Sequence, residues 1–260
     1  MDNEVLYVEK ERDGVRFVEL ILNRPEKGNA LTVEMLSSLE HIVGRVRSDR
    51  TVRAVVLRGN GRFFCTGGDI AAWGGLSPQA MGRDWILRGI RVFDAIATLP
   101  QPVIAAISGH AIGGGLELAL AADLRVGVRT AKLGTPEVTL GMVAGWTGVC
   151  RLAETIGVAR ARHLTILGSL IPADQALAWG LITAVVEDTE GLEDAIDLWL
   201  ERLLANAPIA MDLTKGLLAT MHRDVRHHHA AAAAEALSTE DCREGVLAFR
   251  EKRKPLYRNR

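Results

Sequence analysis

Two stretches near the start of the chain, "VLYVEKE" and "VRFVELIL", alternate apolar and polar positions on either side of "RDG". Alternation of period two around an Asp-Gly turn predicts a β-hairpin. From Thr32 the period changes. Met35, Leu36, Leu39, Ile42, Val43 and Val46 recur at helical spacing, and Thr32 carries a hydroxyl suited to the N-cap. "RAVVLRG" and, after Pro102, "PVIAAIS" are short apolar runs that predict buried strands. Between them "WILRGIRVFDAIATL" sets Ile86, Ile90, Phe93 and Ile96 on one helical face. Strand, helix and strand in this order predict a βαβ unit with a parallel sheet, hence an α/β fold.

Past "ADLRVGV" the pattern becomes mostly helical. "GVCRLAETIG", "PADQALAWG" and "GLEDAIDLWLERLLANAP" all fit helices, the second with Pro near its start and Gly near its stop. From Pro208 onward no strand signal remains; the tail is alanine-rich and then basic, which suits a helical lobe or an oligomer contact.

Composition narrows the class more than the chemistry. The 260 residues are 48 % hydrophobic and 24 % charged, as in ordinary globular proteins. A formal net charge of −1 leaves no electrostatic footprint for nucleic acid. Cys65, Cys150 and Cys242 are odd in number and widely spaced, which argues against a disulfide framework and for a reducing compartment. No apolar run reaches the length of a transmembrane helix, and "MDNEVLYVEKERDG" is unlike a signal or transit peptide. The expectation is a soluble cytoplasmic protein with no membrane partner.

The candidate chemistry lies in two glycine-rich turns, each after a predicted strand: "RFFCTGGDI" and "SGHAIGGG". The second opens a helix containing Glu117, a carboxylate sunk among Leu and Ala that is costly to bury without a reason. A helix start offers backbone N–H groups without intrahelical acceptors, and glycine lets a ligand atom come close to them. Two such turns side by side would give two donors to one developing oxyanion. Glu137, in "KLGTPEVTLGM", is the second carboxylate; Pro-Glu also suits a helix start, where the acid only complements the dipole. Spacing alone does not place Glu137 beside Glu117. The dinucleotide fingerprint fails, because Leu118 stands where its third glycine belongs, and no P-loop, G-x-S-x-G or HExxH occurs.

"LNRPEKGNAL", "FFCTGGDI", "ISGHAIGGGLELALAADLRVG", "KLGTPEVTLGM", "PADQALAWGLITAVV" and "EGVLAFREKRKP" resemble, in order and separation, the enoyl-CoA hydratase (crotonase) family across nearly the whole chain. The resemblance implies a crotonase-like spiral of ββα units over 1–200 and a helical trimerisation region over 201–260, in trimers or in hexamers built as dimers of trimers. It implies an acyl-CoA thioester as substrate, with CoA brought by the substrate and no metal or redox cofactor, in fatty acid metabolism. The oxyanion donors would be the N–H groups of Gly68 and Gly114. Glu117 would act as base toward water and Glu137 would protonate C2, giving reversible syn hydration of a 2-enoyl-CoA. Ala30, Thr66, Asp69, Ile70 and Lys252 would contact CoA; Asp69 also fits an N-cap and Lys252 a solvated terminus.

Two departures matter. Many hydratases carry a lysine just after "DI", where this chain has Ala71, and "GWTGVCRL" replaces the usual stretch after the second glutamate. Trp146 either lines the acyl pocket and changes its shape or packs in the core, and it keeps an aromatic acyl group open. The alternatives are therefore a Δ3–Δ2 isomerase or aromatic acyl-CoA hydratase-lyase, and a non-catalytic acyl-CoA or RNA binder. His110 reads as a packed histidine, Cys65 lacks a histidine partner for nucleophilic work, and His222 with His227 to His229 reads as an exposed helix.

Overall fold

The computed structural model describes residues 4–219, 233–234, 237–253 and 255. Strand β1 (Val5–Arg12) pairs antiparallel with β2 (Val15–Leu22), Val5 opposite Leu22 and Arg12 opposite Val15. The connecting Asp13 and Gly14 have φ of 51° and 77°, the left-handed pair that a tight two-residue hairpin turn demands. The helix Val33–Ser48 follows, capped by Thr32, whose Oγ1 accepts the Met35 N–H at 3.1 Å. Its buried residues are the six that the periodicity marked.

The hairpin is the edge of a larger sheet. β3 (Val52–Gly59) runs parallel to β2, β5 (Val103–Ile107) to β3, β7 (Leu124–Val128) to β5 and β10 (Ala184–Val186) to β7. The order is β1-β2-β3-β5-β7-β10. β5 is buried at every position, as expected of a strand covered on both faces. A second sheet takes β4 (Phe63–Cys65), β6 (His110–Ile112), β8 (Lys132–Gly134) and β9 (Leu170–Pro172), in the order β4-β6-β8-β9. β3 leads to β4, β5 to β6 and β7 to β8, so three successive passes each add one strand to each sheet. This is the expected spiral of ββα turns.

The crossover helix between β4 and β5 is Leu87–Ala97, and it buries Gly89, Ile90, Val92, Phe93 and Ile96. A wider turn, Met81–Ile86, precedes it, with the Leu87 N–H reaching back to Gly82 O. Such widened turns are common at functional sites; this one buries Met81, Trp85 and Ile86.

Beyond β7 the chain is mainly helical, but β8, β9 and β10 also lie there. Three residues each are too few for alternation to reveal them. The break expected at 200/201 falls inside one continuous helix, Thr189–Ala205, which buries Leu192, Ile196 and Leu200 against the core. The last helix, Glu240–Arg250, packs on the turn that carries Glu137: a Cβ at Gly245 would lie 2.5 Å from Leu140 O, and one at Gly141 would lie 2.7 Å from Cys242 N. His222 and His227 to His229 lie outside the described residues.

Candidate active site

The two glycine turns come together, as their placement after neighbouring strands suggests. A Cβ on Gly115 would sit 2.1 Å from Cys65 O, and one on Gly67 would sit 3.3 Å from Gly114 N. Only bare backbone permits that approach. Leu31 braces the first turn, donating to Gly67 O and accepting from Asp69 N–H, both at 2.8 Å. That parallel bridge uses the groups flanking Gly68 and turns the Gly68 N–H away from Leu31. Gly114 begins the helix Gly114–Leu120, so its N–H has no acceptor within that helix.

Glu117 lies one turn into this helix and is 1 % exposed. Its Oε1 accepts the N–H groups of Trp146 and Gly148, each at 2.8 Å. Both amides face one oxygen because Thr147 between them adopts a left-handed φ of 66°. Arg151 holds that loop, donating to Trp146 O at 3.3 Å and to Thr147 Oγ1, and pairing with Asp94. Gly148 must be glycine, since a Cβ would meet Glu117 Cγ at 2.2 Å. Desolvation pushes the Glu117 carboxyl above the ordinary carboxylate range, while the two amides and the Arg151 charge pull against that rise.

Glu137 opens the short turn Glu137–Leu140 from the opposite wall. Its Oε2 is buried without a hydrogen-bond partner among the described residues. Its Oε1 lies against Gly113, where a Cβ would approach to 2.7 Å; Gly113 also has a φ of 56°, open chiefly to glycine. Burial, and then the negative charge of Glu117, push the Glu137 carboxyl upward.

Both glutamates line one cavity of about 110 Å³. Thr66, Gly68, Ile70, Gly114 and Trp146 line it too, so seven of the residues singled out from sequence converge. Ala30, Asp69 and Lys252 stand outside the lining. Asp69 is occupied structurally: Oδ1 accepts from Ala71 N–H and Oδ2 pairs with Arg24 at 3.0 Å. Arg24 also donates to Ala30 O. Lys252 is exposed just past the last helix. Trp146 does both things considered for it, lining the cavity while packing at 5.2 Å between ring centres against Trp85 and Phe93.

Sequence reasoning missed Met81, Trp73 and Trp85 in the lining and Arg151 behind Glu117. Gly89, a glycine inside a helix, was a usable signal for a close approach there. Cys65 is inert: burial pushes its thiol up to about 12. His110 packs edge-on to Phe63, and its Nδ1 accepts from the Lys132 N–H. Among the described residues no group of His, Cys, Asp and Glu is placed to hold a metal ion, and no helix is long and apolar enough to cross a membrane.

The enoyl-CoA hydratase/isomerase family model matches residues 12–260, and the chain belongs to that family. It is 35 % identical over 249 residues to the short-chain-enoyl-CoA hydratase of Clostridium acetobutylicum, covering 94 % of each chain. It is 37 % identical over 246 residues to the (E)-benzylidenesuccinyl-CoA hydratase of Thauera aromatica, covering 91 % of this chain and 93 % of that one. An enoyl-CoA hydratase structure from Mycobacterium avium subsp. paratuberculosis superposes with a TM-score of 0.85 at 28 % identity, covering 97 % of this chain and 98 % of that one.

Proposed function

We propose that this protein is an enoyl-CoA hydratase that adds water reversibly, in syn fashion, across the double bond of a 2-enoyl-CoA to give a 3-hydroxyacyl-CoA. The observation that carries this reading is the pair of unlike carboxyls in one cavity beside the backbone of Gly68 and Gly114. Glu117, held by two amides, takes a proton from the water that attacks C3. The displaced electron pair moves onto the thioester oxygen, where the Gly68 and Gly114 N–H groups stabilise the enolate. Glu137, kept protonated by burial and by its neighbour's charge, delivers a proton to C2. Proton return from Glu117 to Glu137 resets the pair. These groups supply every proton and charge the hydration needs, and the only cofactor-like group is the CoA of the substrate.

Thr66 and Ile70 would guide the thioester arm, with Ala30, Asp69 and Lys252 further out along CoA; Asp69 would act by shaping the turn. The 201–260 region would assemble the protein as a homotrimer or a dimer of trimers, a reading supported by Ile209, Leu213 and Leu218 exposed on the helix Pro208–Ala219. A cytoplasmic role in fatty acid metabolism fits this chemistry. Loss of the conjugated-enoyl absorbance of crotonyl-CoA on addition of purified protein, with 3-hydroxybutyryl-CoA as product, is the expected result. Absence of turnover on crotonyl-CoA and on longer 2-enoyl-CoA esters would sink the reading.

A further inference from the structure

The first glycine turn sets two glycines in succession, Gly67 and Gly68. Such a pair is a backbone hinge, and Gly67 has a φ of 104°, open chiefly to glycine. The amides around Gly68 are nevertheless engaged: those of Thr66, Gly67 and Asp69 donate to Gly28 O, Cys65 Sγ and Leu31 O. Leu31 grips the two peptides that meet at Gly68 from one side, through Gly67 O and the Asp69 N–H. In a parallel bridge of this kind the N–H and the C=O of the bridged residue both point to the other side. The Gly68 N–H is the donor wanted for a thioester oxygen. The Gly68 carbonyl beside it is an acceptor, and its partial negative charge would repel the same oxygen. That carbonyl is not left bare: the indole Nε1 of Trp73 donates to Gly68 O at 3.4 Å.

From this geometry, resting on the hydratase reading, we infer that Trp73 is a positioning residue for the oxyanion site: its indole N–H occupies the Gly68 carbonyl and its ring holds Gly68 in place, so that the turn presents a donor to the thioester oxygen and hides the acceptor. The packing supports both parts. A Cβ at Gly68 would lie 3.3 Å from Trp73 Cδ1 and 2.9 Å from Trp85 Cζ2, so two indoles close over a residue that has no side chain of its own. Trp73 is buried and set by the turn itself, as the last residue of the short helix Ile70–Trp73. Asp69 caps that helix through the Ala71 N–H and is tied to Arg24, and the Trp73 N–H donates to Asp69 O. Gly74 then brings the segment against the last helix, where a Cβ would lie 3.6 Å from Val246 Cγ1. An apolar side chain at position 73 could fill the same space, but only tryptophan among the large hydrophobic residues without a hydroxyl also brings a donor.

The test compares wild type, Trp73→Phe, which keeps an aromatic ring and removes the donor, and Trp73→Leu, which removes both. Infrared difference spectra of bound butyryl-CoA, isotope-labelled at the thioester carbonyl, read the oxyanion site without turnover. In wild type the carbonyl stretch is expected to fall on binding, because two amides polarise it; in Trp73→Phe the fall should be smaller. On crotonyl-CoA, Trp73→Phe should lower kcat by about tenfold, less than the 10²–10³-fold of a lost donor, with KM changed by less than about twofold. Trp73→Leu should lose more of both, and if thermal melts show it unfolded, the phenylalanine variant carries the test. An unchanged kcat and carbonyl stretch in Trp73→Phe overturns the inference. So does a raised KM with kcat intact, which would reduce Trp73 to pocket lining. A weakened carbonyl shift in that variant, with no turnover of any 2-enoyl-CoA by wild type, would instead overturn the hydratase reading and leave the role of Trp73 supported.

Discussion

The two walls of the cavity hold the same functional group in opposite ways. On the Gly114–Leu120 side, Glu117 receives two amide hydrogen bonds on one oxygen from a loop that a buried arginine fastens. On the other side, Glu137 stands on a short turn with one carboxylate oxygen buried and without a hydrogen-bond partner among the described residues. Donors aimed at Glu117 favour its ionised form, whereas burial beside that charge favours protonated Glu137. In the proposed hydration, one chemical group thereby takes two roles, base and acid, from its surroundings.

The sharpest way to break this asymmetry is to remove either carboxyl. Glu117→Gln and Glu137→Gln should each lower kcat on crotonyl-CoA by about 10²–10⁴-fold, measured by enoyl absorbance, with smaller changes in KM. A variant that keeps wild-type kcat would show that its carboxyl takes no part.

Next in size is the backbone between the two walls. Gly114→Ala drives a Cβ to 2.4 Å from Trp146 Cζ3, displacing the amide proposed to hold the enolate. A loss of about 10²–10³-fold in kcat is expected, with a thermal melt to separate it from unfolding.

A finer probe weakens the Glu117 side without touching its carboxyl. Arg151→Met removes the positive charge that opposes the rise of Glu117 and frees the Trp146–Gly148 loop. The acidic limb of the pH profile of kcat/KM should move to higher pH, because Glu117 then releases its proton later. Arg151→Lys should restore part of the shift; an unmoved limb would reduce Arg151 to a packing role.

The smallest effect concerns stability. Both carboxyls lie above their ordinary range, so between that range and their raised values the folded chain keeps protons that the unfolded chain has released. Stability is therefore lost as pH rises through the raised values. Glu137→Gln removes part of that penalty. Its melting temperature should match wild type near pH 5 and exceed it by about 2–4 °C near pH 9, the shift expected for about 1 kcal/mol in a chain of this size. A gain that is independent of pH would contradict the electrostatic account.

Much of the fold was legible because local pattern reports local backbone and burial. The alternation around Asp13-Gly14, the face from Met35 to Val46 and the apolar runs of β3 and β5 each needed only neighbours in sequence. The glycine turns marked where backbone would be exposed, and Glu117 stood out because its charge contradicts its apolar surroundings. The strands β8, β9 and β10 were hidden by their length, and the helix Thr189–Ala205 ran through an expected boundary because its buried face continues without a break.

The sequence by itself determined the longer elements, the two glycine turns and the presence of two candidate carboxyls. Only the tertiary structure decided that Glu137 faces Glu117, that Arg151 fastens the loop feeding Glu117, and that the last helix supports the turn beneath Glu137. It alone turned Gly89, Gly114 and Trp146 into one wall. Periodicity carries no information on which distant segments meet. That is settled by close packing, in which a missing Cβ on one strand or helix is the space a ring or carboxylate from another must fill.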